Sequence, residues 1–123
     1  MVLAKRELNS QNWEVTQTAY KGDATDAHKS ISIMVDGDGF LHLAWGQHNN
    51  NLNYAKSVKP ESLVMGEKEA MVSSKENKVS YPEFYNLSNG NLLFFYRDGG
   101  SGNGNLMINR YDLKTKTWKR IQD

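Results

Sequence analysis

At 123 residues and a formal net charge of +1, the chain has room for one small hydrophobic core and offers no electrostatic case for nucleic acid or an anionic membrane as partner. No apolar run is long enough to cross a bilayer. The absence of cysteine excludes disulfides and thiol chemistry.

The opening stretch MVLAKRELNS lacks the apolar run of a signal peptide, so no export signal is expected in this chain. Beyond it, "LNSQNWEV" reads as a short strand. The next element is clearer. Ile31, Ile33 and Val35 alternate with Ser30, Ser32 and Met34, the sequence DGDG interrupts, and FLHLAWGQH resumes the apolar pattern. Alternation, a glycine-rich turn and a second apolar run predict a β-hairpin. "LNYAKS" follows as a further strand. The region from Val64 to Lys78 contains good helix formers, but "EAMVSS" fits an outer strand followed by a polar loop better. A second hairpin is predicted in "PEFYNLSNGNLLFFYRDG", then strands in "LMINRYDL" and "LKTKTWKRI".

These elements repeat. Gly39 corresponds to Gly90, Leu41 to Leu92, Leu43 to Phe94 and Trp45 to Tyr96. Trp13 and Trp118 fall about two such spacings apart. A period of about fifty residues built from about four short strands is the signature of β-propeller blades, whose faces bury against each other. The expected fold class is therefore all-β, about two four-stranded antiparallel blades forming part of a larger propeller. Residues 1–19 are read as the outer strand of a preceding blade, 20–78 as the first blade and 79–123 as the second. Two blades cannot close a ring, so either the chain belongs to a longer protein or copies associate to supply the missing blades.

Polar residues collect where the hairpins open. His28 precedes the first strand of its hairpin and His48 follows the second, which puts both opposite the DGDG turn. In the next repeat Tyr81 and Arg97 stand at the equivalent ends. Taken singly, each has an ordinary structural explanation: a solvated loop histidine, a packing tyrosine before Pro82, a surface ion pair between Arg97 and Asp98. Two pairs placed alike in successive repeats make a candidate site. His42, in mid-strand between Leu41 and Leu43, is expected to pack or to bond across the sheet.

Two other patterns carry less. "GGSGNGN" lacks the strand-to-helix transition and the Lys-Ser/Thr pair of a phosphate loop, and reads as a hairpin turn. "DGDG" lacks the third acidic position and the distal glutamate of a calcium loop. Asp36 and Asp38 are expected to serve turn geometry instead, and no metal or other cofactor is expected.

The stretches "DAHKSISIMVDGDGFLHLAWGQHNNNLNYAKS", "VSYPEFYNLSNGNLLFFYRDGGSGNGN" and "RYDLKTKTWKRI" resemble the BNR-repeat-containing family, which includes seven-bladed propeller polysaccharide lyases acting on ulvan and related rhamnose–uronate glycans. The resemblance extends over nearly the whole chain. It implies a site formed by His28, His48, Tyr81 and Arg97, an acidic polysaccharide as substrate, and a secreted or periplasmic setting. Some relatives hydrolyse rhamnose–glucuronate linkages instead, and a non-catalytic glycan-binding or scaffold piece is the third reading. The Asp-box pattern of sialidases is absent.

The four residue types suit β-elimination. Arg97 can hold a uronate carboxylate through its planar fork, His48 can add a further bond, and His28 and Tyr81 can act as base and acid in an order set by the uronate epimer. Hydrolysis would call for two carboxylic acids across the bond, and the predicted rim positions include no such pair, although Asp26 and Asp98 are close to them in sequence.

Overall fold

The computed structural model describes residues 1–123. The chain forms ten strands and no helix: β1 (Val2–Lys5), β2 (Glu14–Gln17), β3 (Ile31–Val35), β4 (Leu41–Trp45), β5 (His48–Asn50), β6 (Tyr54–Lys56), β7 (Val79–Asn86), β8 (Leu92–Asp98), β9 (Asn105–Asp112) and β10 (Thr117–Gln122). They assemble into three antiparallel sheets of order β1-β2, β3-β4-β6 and β10-β9-β8-β7-β5.

Both predicted hairpins are present, and their turns are built alike. After β3, Asp36 Oδ1 accepts the backbone N–H groups of Asp38 and Phe40, and Gly39 N–H donates to the Asp36 carbonyl. After β7, Gly90 N–H donates to the Leu87 carbonyl. Gly39 and Gly90 occupy matching left-handed conformations, with φ of 88° and 86°, which explains glycine at both positions. The two turns also touch. Gly37 N–H donates to Gly90 O at 2.9 Å, and a β-carbon on either glycine would come within 2.7 Å of the other's Cα.

β4 lies in the middle of the molecule, with all five residues buried. Leu41, Leu43 and Trp45 face one cluster with Leu3, Ala55 and Leu63. Ala44, on the opposite face, joins the larger cluster of Tyr54, Val79, Phe84, Leu92, Phe94, Tyr96, Tyr111 and Trp118 between the two main sheets. A strand covered on both faces loses the apolar–polar alternation of a half-exposed one. The continuous run LHLAW reflects that position. β3 differs, because its Ile31, Ile33 and Val35 remain about half exposed.

His42 bonds within the layer between the sheets. Trp118 Nε1–H donates to Tyr54 Oη at 3.1 Å, and His42 Nδ1 lies 2.8 Å from the same oxygen. On its other side His42 Nε2 lies 2.8 Å from Asp36 Oδ2. Only one arrangement of protons satisfies the chain: Tyr54 donates to Nδ1, and Nε2–H donates to the carboxylate. Burial pushes the His42 pKa down against the opposing pull of Asp36, and burial pushes the Tyr54 hydroxyl upward.

Three details differ from the sequence expectations. Residues 1–19 hold a two-stranded hairpin where a single outer strand was expected. "EAMVSS" forms no strand: the Glu76 carboxylate accepts the N–H groups of Met71, Val72 and Ser73, so a loop already satisfies the donors that a sheet edge would need, and the β3-β4-β6 sheet has three strands where a blade of four was expected. Finally, β5 leaves the sheet of its neighbours in sequence and pairs with β7.

Candidate functional site at the hairpin mouths

Because the two turns pack together at one end, the mouths of both hairpins lie together at the other. His28 stands just before β3, and His48 opens β5. Their rings are stacked, with centroids 4.3 Å apart and planes 23° from parallel. Tyr81 and Arg97 form the second pair, with the guanidinium carbon 5.6 Å from the tyrosine ring centroid. The backbone connects the pairs: His48 is opposite Ser80 on β7, and Ser80 is opposite Arg97 on β8. Two strand spacings separate His48 from Arg97, about 10 Å.

Local distortions shape this row. The β5–β7 pairing shifts register between His48 and Asn50, and the β7–β8 pairing shifts between Ser80 and Glu83. Asn49 and Tyr81, beside the paired residues, hold φ of 56° and 55°, the left-handed region that non-glycine residues rarely occupy. Asn49 N–H donates to Ser80 Oγ at 2.7 Å and ties the two bulged strands together. Such irregularities re-aim side chains at the edge of a regular ladder. Arg97 Nη1 donates to Gly100 O at 3.1 Å, so the loop after β8 steadies one arm of the fork.

The sequence put Asp26 close to the rim but gave it no role, yet it organises the histidine pair. Its Oδ1 accepts His28 N–H and contacts His28 Nδ1, each at 3.0 Å. Its Oδ2 lies 2.5 Å from His48 Nδ1. These contacts, the one to His48 foremost, hold the Asp26 carboxyl well below the usual carboxylate range. The only available signal was local: an aspartate two residues before a histidine can accept that residue's N–H. Nothing in sequence announced the contact to His48. The ligand-capable atoms of Asp26, His28 and His48 lie within 4.8 Å of one another, a spacing that a divalent cation could bridge, although each Nδ1 already has the carboxylate as partner. Asp98, the other acid near the rim, is 3.9 Å from Lys75.

Comparison with known proteins gives the family and the fold. Residues 1–123, the full length of the chain, match the BNR repeat-containing family. The chain belongs to that family. Among individual BNR-repeat relatives, it is 39% identical over 52 residues to the long isoform of ulvan lyase from Glaciecola sp. (strain KUL10), covering 41% of this chain and 5% of that protein. It is 43% identical over 49 residues to the long isoform from Pseudoalteromonas sp. (strain PLSV), covering 38% of this chain and 5% of that protein. A solved PL25 ulvan lyase bound to -[GlcA(1-4)Rha3S]- superposes with a TM-score of 0.67 at 15% identity, over 84% of this chain and 26% of that one. The BNR-repeat chain thus shares the propeller fold of these structures and spans about a quarter of the solved neighbour.

Proposed function

We propose that the chain is part of a polysaccharide lyase that cleaves uronate-containing, ulvan-like glycans by β-elimination. The observation that carries this reading is the rim itself: a stacked histidine pair and a tyrosine–arginine pair in adjacent repeats, connected across three strands by His48, Ser80 and Arg97. The family membership and the ulvan lyase relatives support it.

Arg97 binds the substrate carboxylate through the arm not engaged by Gly100, which makes the neighbouring C5 proton more acidic. His48 contributes a second contact to that carboxylate. One member of the His28–Tyr81 pair removes the C5 proton, the C4–O4 bond breaks as the C4=C5 double bond forms, and the other member returns a proton to O4. Positioned proton transfer of this kind contributes about 10²–10⁴-fold to rate. The separation of about 10 Å between the His48 and Arg97 backbones leaves room for a sugar ring between the two pairs.

Hydrolysis fits less well. It would need two free carboxyl groups across the bond, whereas Asp26 is occupied by both histidines and Asp98 faces Lys75. The test is incubation of the protein, assembled as a complete propeller, with ulvan-type glycan while the ultraviolet absorbance of unsaturated uronate is followed. Growth of that absorbance is the expected result. New reducing ends without it would indicate hydrolysis, and tight binding without cleavage a glycan-binding piece; either outcome overturns the lyase reading.

A further inference from the structure

The Asp26 carboxylate has two oxygens and uses one for each histidine: Oδ1 for His28 Nδ1 at 3.0 Å and Oδ2 for His48 Nδ1 at 2.5 Å. An ionised carboxylate has no hydrogen to give, so both Nδ1 atoms must carry one. A neutral imidazole has a single N–H, which leaves both Nε2 atoms as bare acceptors. The aspartate is itself fixed, because His28 N–H donates to Oδ1 and Lys29 N–H to the Asp26 carbonyl, both at 3.0 Å. The stack at 4.3 Å keeps the two rings from turning independently.

We infer that Asp26 is a positioning residue that locks His28 and His48 together as Nδ1–H tautomers and reserves both Nε2 atoms for a ligand at the rim. Second partners of this kind commonly set which ring nitrogen of a histidine is available. The consequence for chemistry rests on the lyase reading. A neutral His28 then offers Nε2 as a proton acceptor, and His48 can donate to a substrate carboxylate from Nε2 only as imidazolium, with Asp26 as its counter-charge. The tautomer lock itself does not depend on turnover.

Long-range proton–nitrogen correlation on the 15N-labelled chain, in chelator at mildly alkaline pH where an ordinary imidazole is neutral, reads the tautomers directly. Both His28 and His48 should be Nδ1–H. Either ring found mainly as Nε2–H overturns the inference without any variant being made. In Asp26→Asn the carboxamide presents an acceptor on one side and a donor on the other, so at least one ring should change tautomer while the dispersed amide spectrum of the fold persists. Two unchanged rings would overturn the lock. In an assembly with lyase turnover, Asp26→Asn should lower kcat on the order of 10²–10⁴-fold and also raise KM, since His48 loses the counter-charge of its contact to the substrate carboxylate; the upper end is the cost of a wrong tautomer in a serine protease whose imidazole loses its carboxylate. Asp26→Glu should restore part of that loss. Should the wild type show no turnover, the lyase reading fails and the tautomer spectra alone decide the role of Asp26.

Discussion

Tyr54→Phe tests whether the buried chain Trp118–Tyr54–His42–Asp36 contributes to stability beyond its apolar packing. The substitution keeps the ring, which is fully buried in the cluster between the sheets, and removes only the hydroxyl. Trp118 Nε1–H then loses its acceptor, and His42 Nδ1 loses its donor. Each buried polar group left without a partner costs about 1–3 kcal/mol, so the pair should cost about 2–6 kcal/mol. That is a large share of the stability of a small domain, typically about 5–15 kcal/mol. Urea unfolding followed by tryptophan fluorescence measures the change, provided the slope of the transition is the same in both proteins. A loss below about 0.5 kcal/mol would refute the reasoning, since it would mean that the two groups find other partners or were never joined through Tyr54.

The same histidine predicts a pH dependence. The folded His42 pKa is depressed by burial, so over the interval between the folded and unfolded values the unfolded chain binds a proton that the native chain refuses. The stability contribution is therefore complete above the unfolded value of about 6.5 and is lost as pH falls through the folded one, at up to about 1.4 kcal/mol per pH unit; unfolding midpoints of His42→Gln against wild type across that interval should isolate this slope. Gly90→Ala meets the Gly37 backbone at 2.7 Å and imposes a side chain on a φ of 86°, which should cost about 2–4 kcal/mol by thermal or urea unfolding. Arg97→Lys keeps the charge and loses the planar fork, so turnover by a competent assembly should fall by at least about tenfold, and an unchanged kcat/KM would remove Arg97 from the carboxylate site. Ile31, Ile33 and Val35 on β3, and Trp13 just before β2, present exposed apolar surface, so the isolated chain should self-associate in light scattering as its concentration rises.

The parts of the molecule that local chemistry determines were legible in the sequence. Alternation in β3 and the DGDG and SNGN turns predicted both hairpins, because a two-residue period and a left-handed glycine are properties of a few neighbouring residues. The matching places of His28, His48, Tyr81 and Arg97 followed from the repeat. What tertiary packing decides was not legible. "EAMVSS" has strand-like composition, but the Glu76 carboxylate takes the backbone donors of its apolar residues and holds a loop. Asp26 meets His48 only through folding, 22 residues away in sequence. Trp13 and Trp118 correspond in the repeat yet are 60% and 8% exposed, since one sheet is covered at that place and the other is not.

The departure of β5 from its own sheet bears on how such a protein can diversify. His28 belongs to one repeat by position, while His48, only 20 residues later, is hydrogen-bonded into the next. A genetic exchange that swapped whole repeats at the loop before Val79 would carry both histidines together but strip His48 of the strand that holds it. An exchange cut just after β4 would keep β5 with its partner β7 and separate the histidines instead. Neither cut inherits the rim intact. The transmissible module is therefore staggered relative to the visible repeat, running at least from Asp26 through Arg97, and recombination within that span should be far less tolerated than recombination outside it.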